Sequence, residues 1–133
     1  MTAPCYCTLL RKATRRLSGV YDEALAPLGI NIAQYALLRM VAARTSLSLT
    51  ELGRIAELDR STVGRNVRVL ERMGLMQTGR GDDDQRESVV SLTPAGTALL
   101  AQARPLWDAC QARIEAKLGA ERVETLNAIL AAL

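Results

Sequence analysis

Histidine and phenylalanine are absent from this 133-residue chain, and tryptophan occurs once. The missing histidine removes histidine-dependent catalytic triads, the common zinc sites and the usual general base. None of the nine glycines belongs to a G-x-x-x-x-G-K-[ST] loop, so a nucleotide phosphate has no ready cradle. Cysteine is sparse and odd in number: Cys5, Cys7 and Cys110. The pair in "CYC" is too close for a C-x-x-C knuckle, and no second pair completes four ligands, so neither metal nor cofactor is expected. No run of 18 apolar residues exists, and "MTAPCYCTLLRKATRR" lacks the apolar core of a secretory signal. A cytoplasmic chain with no membrane span is therefore expected, and not an enzyme. A thiol or metal enzyme built on the CYC pair is the one catalytic rival.

What is present suits a soluble globular domain: 49% hydrophobic and 23% charged residues. Ala and Leu abound, favouring helix over strand. The net charge of +3 is a weak pointer to a polyanion. Its distribution is weaker still: residues 1–47 carry six basic and two acidic groups, residues 48–92 seven and eight, residues 93–133 four and four. A nucleic-acid reading must rest on where the arginines point.

Along the chain, Leu10, Ala13, Leu17, Val20, Ala24 and Leu28 recur at helical steps, predicting a helix from Thr8 to Leu28. Asn31 with Gln34 at N3 opens a second helix to about Ala43. Ser48 and Glu51 form a capping-box pattern for a short helix to about Glu57. Asp59 then caps "RSTVGRNVRVLERM", which Gly74 ends. "LMQTGR" and "ESVVSL" flank "GDDDQ" and read as a hairpin. Thr93 and Pro94 start a long helix with a seam of Leu99, Ala103, Leu106, Cys110, Ile114 and Leu118. Gly119 breaks it, and a last helix over 120–133 should place Val123, Leu126 and Leu130 inside.

Two short helices with a tight joint, followed by a hairpin, describe a winged helix-turn-helix. At about 100° per residue, Val63, Val67 and Leu70 fall on one face of the second helix. Ser61, Arg65, Arg68 and Arg72 gather on the other, with Thr62 at the edge. An arginine row alone is usually a solvated face. The hairpin immediately after it shifts the balance toward DNA, because a groove-bound helix uses such arginines on guanine edges and phosphates.

The segment from "LTELGRIAELDRSTV" to "SLTPAG" resembles the DNA-binding part of the MarR family of bacterial transcription regulators. The resemblance is carried by "DRSTV", by the exit "LERMGL", and by the wing pattern Asp84-x-Arg86 followed by Leu92, Thr93 and Gly96. Flanking helices match in number and order, so it covers essentially the whole chain. Two residues depart from the pattern. Gly64 stands where the family often has Ser or Thr, weakening the helix by roughly 1 kcal/mol relative to Ala, and Asn66 is not the residue the pattern predicts there.

The resemblance implies a mainly α fold with a small β-hairpin. It implies one domain over 1–133, in which 1–47 and 94–133 supply dimerisation helices and 48–93 the winged lobe. It further implies a homodimeric repressor on a near-palindromic duplex operator. Ser61, Thr62, Arg65 and Arg68 would enter the major groove, with Arg72 in the same row. Arg80 and Arg86 would serve the wing. Asp84, two residues before Arg86, is placed to orient that guanidinium, while Asp82 and Asp83 stay in solvent. A winged-helix protein-interaction module without DNA binding is the alternative.

Two triggers follow from the resemblance. The family's effector pocket lies between dimer helices and DNA-binding lobes, where Arg11, Arg15, Tyr21, Tyr35 and Trp107 are the candidates for a small-molecule ligand. In the organic-hydroperoxide-sensing branch a cysteine near the start of the first helix reacts with oxidant, and alignment on Gln34-Tyr35 places Cys7 there. Tyr21 takes the position of its helical tyrosine. Arg11 stands where that branch has a second tyrosine. Cys110, on the long seam, is expected to be core.

Overall fold

The computed structural model describes residues 2–80 and 88–133. Its elements run α1 (Tyr6–Leu25), a 3-10 turn (Ala26–Leu28), α2 (Ile32–Ala42), β1 (Leu47–Ser48), α3 (Leu49–Ala56), α4 (Arg60–Arg72), β2 (Met76–Arg80), β3 (Ser88–Leu92), α5 (Pro94–Leu118) and α6 (Ala120–Ala132). This is a mainly helical winged helix-turn-helix with flanking helices, as expected. The first helix starts earlier and stops sooner than its periodicity suggests. Pro27 has no N–H to continue the ladder, so the last turn tightens into the 3-10 segment, closed by Gly29 at φ 73°.

Local caps account for the starts of α2, α3, α4 and α5. Asn31 and Gln34 make the full reciprocal box at 2.9 Å in each direction. Asp22, from the last turn of α1, accepts a bond from the Ile32 N–H at 2.8 Å, tying α1 to the start of α2. Ser48 accepts from the Glu51 N–H, but the Glu51 carboxylate meets the Ser48 hydroxyl instead of its amide, so that box is half made. Asp59 accepts from the Thr62 N–H at 2.7 Å, and Thr93 from the Gly96 N–H at 3.0 Å.

The expected hairpin is part of a three-stranded antiparallel sheet in the order β1-β3-β2. Leu47 and Ser48 pair with Val90 and Val89 on the inner edge of β3. A two-residue strand has no period of its own, so only β3's open edge reveals it. On the other edge Met76, Thr78 and Arg80 face Leu92, Val90 and Ser88 across the ladder.

One core joins the lobe to the flanking helices. Val63, Val67 and Leu70 of α4 meet Leu38 and Val41 of α2, Leu52 of α3 and Val90 of β3, all nearly sealed from solvent. Ala103 and Cys110 are buried on the α5 seam, while Leu99, Leu106, Ile114 and Leu118 are partly covered. The final helix departs from expectation. Val123 is partly covered, and Leu126 and Leu130 are exposed, Leu130 at 71%. Helix α6 packs against α5, and Leu126, Ile129 and Leu130 remain exposed.

The start of α5 makes the tightest approach in the fold. A Cβ on Gly96 would lie 2.0 Å from the Leu75 carbonyl oxygen, a backbone atom that cannot swing away. Gly96→Ala is expected to cost about 1–3 kcal/mol through overpacking, read as a lowered melting temperature. Gly64→Ala meets only the Arg68 guanidinium at 3.7 Å. It should instead raise stability by up to about 1 kcal/mol through helix propensity.

Candidate nucleic-acid interface and effector cleft

Helix α4 presents its polar row opposite its buried stripe. Ser61, Arg65, Arg68 and Arg72 are exposed, Thr62 is partly covered, and Arg80 is exposed at the end of β2. Asp84 and Arg86, with Asp82 and Asp83, lie outside the described residues. The first turn of α4 is ordered by its own side chains. Asp59 takes the Thr62 amide and the Ser61 hydroxyl, and the Thr62 hydroxyl and amide, then Ser61 and nearby Arg65, hold its carboxyl below the ordinary 3.8. The Arg65 guanidinium donates to the Thr62 hydroxyl at 3.3 Å, so Thr62 aims Arg65 along the helix face. Thr78 donates to the Glu71 carboxylate at 3.0 Å, a link between α4 and β2 that periodicity cannot reveal.

Behind the lobe, aromatic rings stack between α1, α2 and α5. Trp107 lies parallel to Tyr21 at 6.5 Å and to Tyr35 at 6.0 Å, between ring centroids. The Arg39 guanidinium covers Trp107 at 4.7 Å and Tyr35 at 5.8 Å. Tyr21 donates to the Gln111 side-chain oxygen. Burial raises its pKa, with Cys110 and Glu115 acting in the same direction. Burial also raises that of Tyr35, against opposing pulls from Arg39 and Arg104.

Two open clefts flank Arg39. One, about 430 Å³, lies between α2 and α5 and is lined by Tyr35, Arg39, Ala42, Ala43, Thr97, Leu100, Ala101 and Arg104. The other, about 420 Å³, runs from α2 toward Ile55 and Trp107. Of the sequence candidates, Tyr35 and Trp107 line this region, and Tyr21 stacks behind Trp107. Arg11 and Arg15 sit exposed on α1 and line neither cleft. Arg39 and Arg104 were missed, although the Tyr35/Arg39 and Arg104/Trp107 spacings of four and three put each cation beside an aromatic on one helix face.

The cysteines divide. Cys110 is fully buried and packs its sulfur 3.8 Å from the Val20 carbonyl, as the seam predicts. Cys5 and Cys7 are exposed. Cys5 is the N-cap of α1, and the hydroxyl and amide of Thr8, then the amide of Cys7, draw its thiol below the ordinary 9.0. Cys7 is separated from Tyr21 by about 21 Å of helix at 1.5 Å per residue, so one chain does not bring them together.

Comparison with known proteins identifies the architecture. A model of the MarR family matches residues 30–88. An HTH-type transcriptional repressor of Mycobacterium tuberculosis is 30% identical over 109 residues, covering 82% of this chain and 78% of that protein. This chain belongs to the MarR family. Its members are transcription regulators, not enzymes. An organic hydroperoxide resistance transcriptional regulator of Bacillus subtilis is 29% identical over 93 residues, covering 70% of this chain and 63% of that protein. The solved M. tuberculosis transcriptional regulator MosR, in complex with DNA, superposes with TM-score 0.85 at 34% identity, covering 96% of this chain and 93% of that one. Among the described residues no single helix is long and apolar enough to cross a membrane, and no group of three or more metal-ligating side chains assembles.

Behind the cleft walls, the Tyr35 hydroxyl is sealed from solvent and, among the described residues, meets no hydrogen-bond partner. An unpaired buried hydroxyl costs about 1–3 kcal/mol. Tyr35→Phe should therefore raise the melting temperature of the free protein, a result that calorimetry without any ligand would give.

Proposed function

We propose that two copies of this chain form a cytoplasmic repressor of a near-palindromic duplex operator. Residues 48–93 act as the DNA-binding lobe, and 1–47 with 94–133 as the dimer helices. The observation that carries this reading is the exposed row of Ser61, Arg65, Arg68 and Arg72 on α4, beside a two-stranded ribbon ending in Arg80. Ser61, Thr62, Arg65 and Arg68 serve the major groove, with Arg72 farther along the same row. Arg80 and Arg86 serve the wing, and Asp84 orients Arg86.

Supporting the dimer are the large apolar side chains exposed on the two terminal helices. Tyr6, Leu9, Leu10 and Val20 lie on α1, and Leu126, Ile129 and Leu130 on α6. Such a surface is too apolar to remain in water on a monomer.

The test uses the tightest duplex that the wild type recovers from a random-sequence library. Arg65→Ala and Arg68→Ala should each weaken binding by about 1–3 kcal/mol and relax one operator position. Binding should also fall steeply with salt. Unchanged affinity in both Arg65→Ala and Arg86→Ala would remove this DNA surface. Salt-insensitive binding to protein partners alone would favour the interaction-module rival.

Release is a population shift: a trigger alters the spacing of the two lobes so that they no longer fit half-sites about one helical turn apart. A small-molecule effector in the Tyr35–Trp107 region is supported by the two clefts and the unpaired Tyr35 hydroxyl. Oxidation of Cys7 is supported by its exposure at the start of α1 and by the likeness to a hydroperoxide-resistance regulator. In that version Tyr21 would act from the second copy. An organic hydroperoxide should release the wild type from its operator and leave Cys7→Ser bound. A Cys7→Ser protein that still lets go, while Cys5→Ser does not, would move the reactive thiol to Cys5.

A further inference from the structure

Helix α4 and strand β2 are joined by a short hinge, and the two sides of that hinge are held differently. Met73 is the C-cap, Gly74 turns the chain at φ 76°, and the Leu75 N–H closes back on the Leu70 carbonyl at 2.9 Å. On the inner side Leu70, Leu75 and Met76 are buried in the core. On the outer side the tie is polar: Thr78 donates its hydroxyl proton to the Glu71 carboxylate at 3.0 Å.

Alternation along β2 puts Met76, Thr78 and Arg80 on one face of the ribbon. Met76 anchors the base of that face, Arg80 ends it, and Thr78 lies between them, opposite Val90 of β3. Fixing Thr78 to α4 therefore fixes the lean of the whole ribbon relative to the recognition helix. Glu71 is otherwise out of place. It is acidic, it follows Arg65 and Arg68 and precedes Arg72, and among the described residues it forms no ion pair. A carboxylate there repels operator phosphates, so its contribution must outweigh that repulsion.

We infer that Glu71 is a positioning residue, which holds the wing at its DNA-binding angle to α4 through the Thr78 hydroxyl. The inference rests on the DNA-binding reading of this lobe. It turns a locally unfavourable charge into a geometric requirement of operator binding.

Charge and geometry predict opposite signs, so substitution separates them. Glu71→Gln keeps a side-chain oxygen for Thr78 and removes the charge; it should bind the selected duplex as tightly as wild type or more tightly. Glu71→Ala removes both, and alanine favours helix, so α4 itself is not weakened. It should bind about three- to tenfold more weakly, the range of one lost hydrogen bond. Its dependence on salt should be shallower, because wing contacts to phosphate are lost.

Thr78→Val breaks the tie but keeps the repelling carboxylate, so it should bind at least as weakly as Glu71→Ala, Thr78→Ser should bind like wild type, and the double change Glu71→Ala/Thr78→Val should be no worse than Thr78→Val alone. Circular-dichroism melts confirm that each variant is folded, and the Thr78→Val and Thr78→Ser pair covers the case where Glu71→Ala is not. Equal or tighter binding by Glu71→Ala relative to Glu71→Gln, or additive losses in the double variant, would overturn the inference. A wild type that recovers no duplex would instead remove the DNA-binding reading and the inference with it. These two failures are distinct, because the comparison of variants presupposes wild-type binding.

Discussion

The contact between the start of α5 and the Gly74–Leu75 hinge is the constraint on which the rest of this fold depends. Thr93 donates its hydroxyl proton to the Gly74 carbonyl at 2.6 Å and its amide proton to the Leu75 carbonyl at 3.1 Å. The Gly96 backbone then packs where no side chain fits. The same Thr93 caps α5. One residue thus ends the sheet, starts the long helix and pins both to the end of the recognition helix. A rotation of α5 must carry the wing and α4 with it, because neither the hydrogen bonds nor the close backbone approach leaves slack.

That rigidity gives the aromatic stack a mechanical setting. Arg39, Tyr35 and Trp107 tie α2 to α5, and Asp22 ties α1 to α2. Pro105 lies inside α5 close to this stack and leaves the Ala101 carbonyl without its usual intrahelical donor. A ligand acting between α2 and α5 would therefore press on α5 within a few turns of the start that is clamped to the Gly74–Leu75 hinge. The unpaired Tyr35 hydroxyl and the two arginines along the cleft place polar groups at that point.

Much of this was legible in the residues. Each cap lies within three residues of its partner amide, so Asn31, Ser48, Asp59 and Thr93 announced their helices without tertiary help. The Val63, Val67 and Leu70 stripe followed from a period of 3.6, and with it the opposite row of Ser61, Arg65, Arg68 and Arg72. The cleft was half legible. Tyr35 and Trp107 were singled out as aromatics, but Arg11 and Arg15 were placed with them because cations on α1 look alike in sequence. Arg39 and Arg104 escaped because their partners lie partly on other helices.

The sequence by itself determined the elements, their order, the buried face of α4 and the membership of a family, since these depend on local hydrogen bonding and on periodic hydrophobicity. Only the tertiary structure decided the third strand, the Glu71–Thr78 tie, the Asp22 cap on α2, the Arg39 stack and the exposure of α6. Each joins residues from different elements, and no local period encodes such a contact. The exposed Leu126 and Leu130 show the same limit from the other side: an apolar period marks a face that favours burial, and no local period encodes what would cover it.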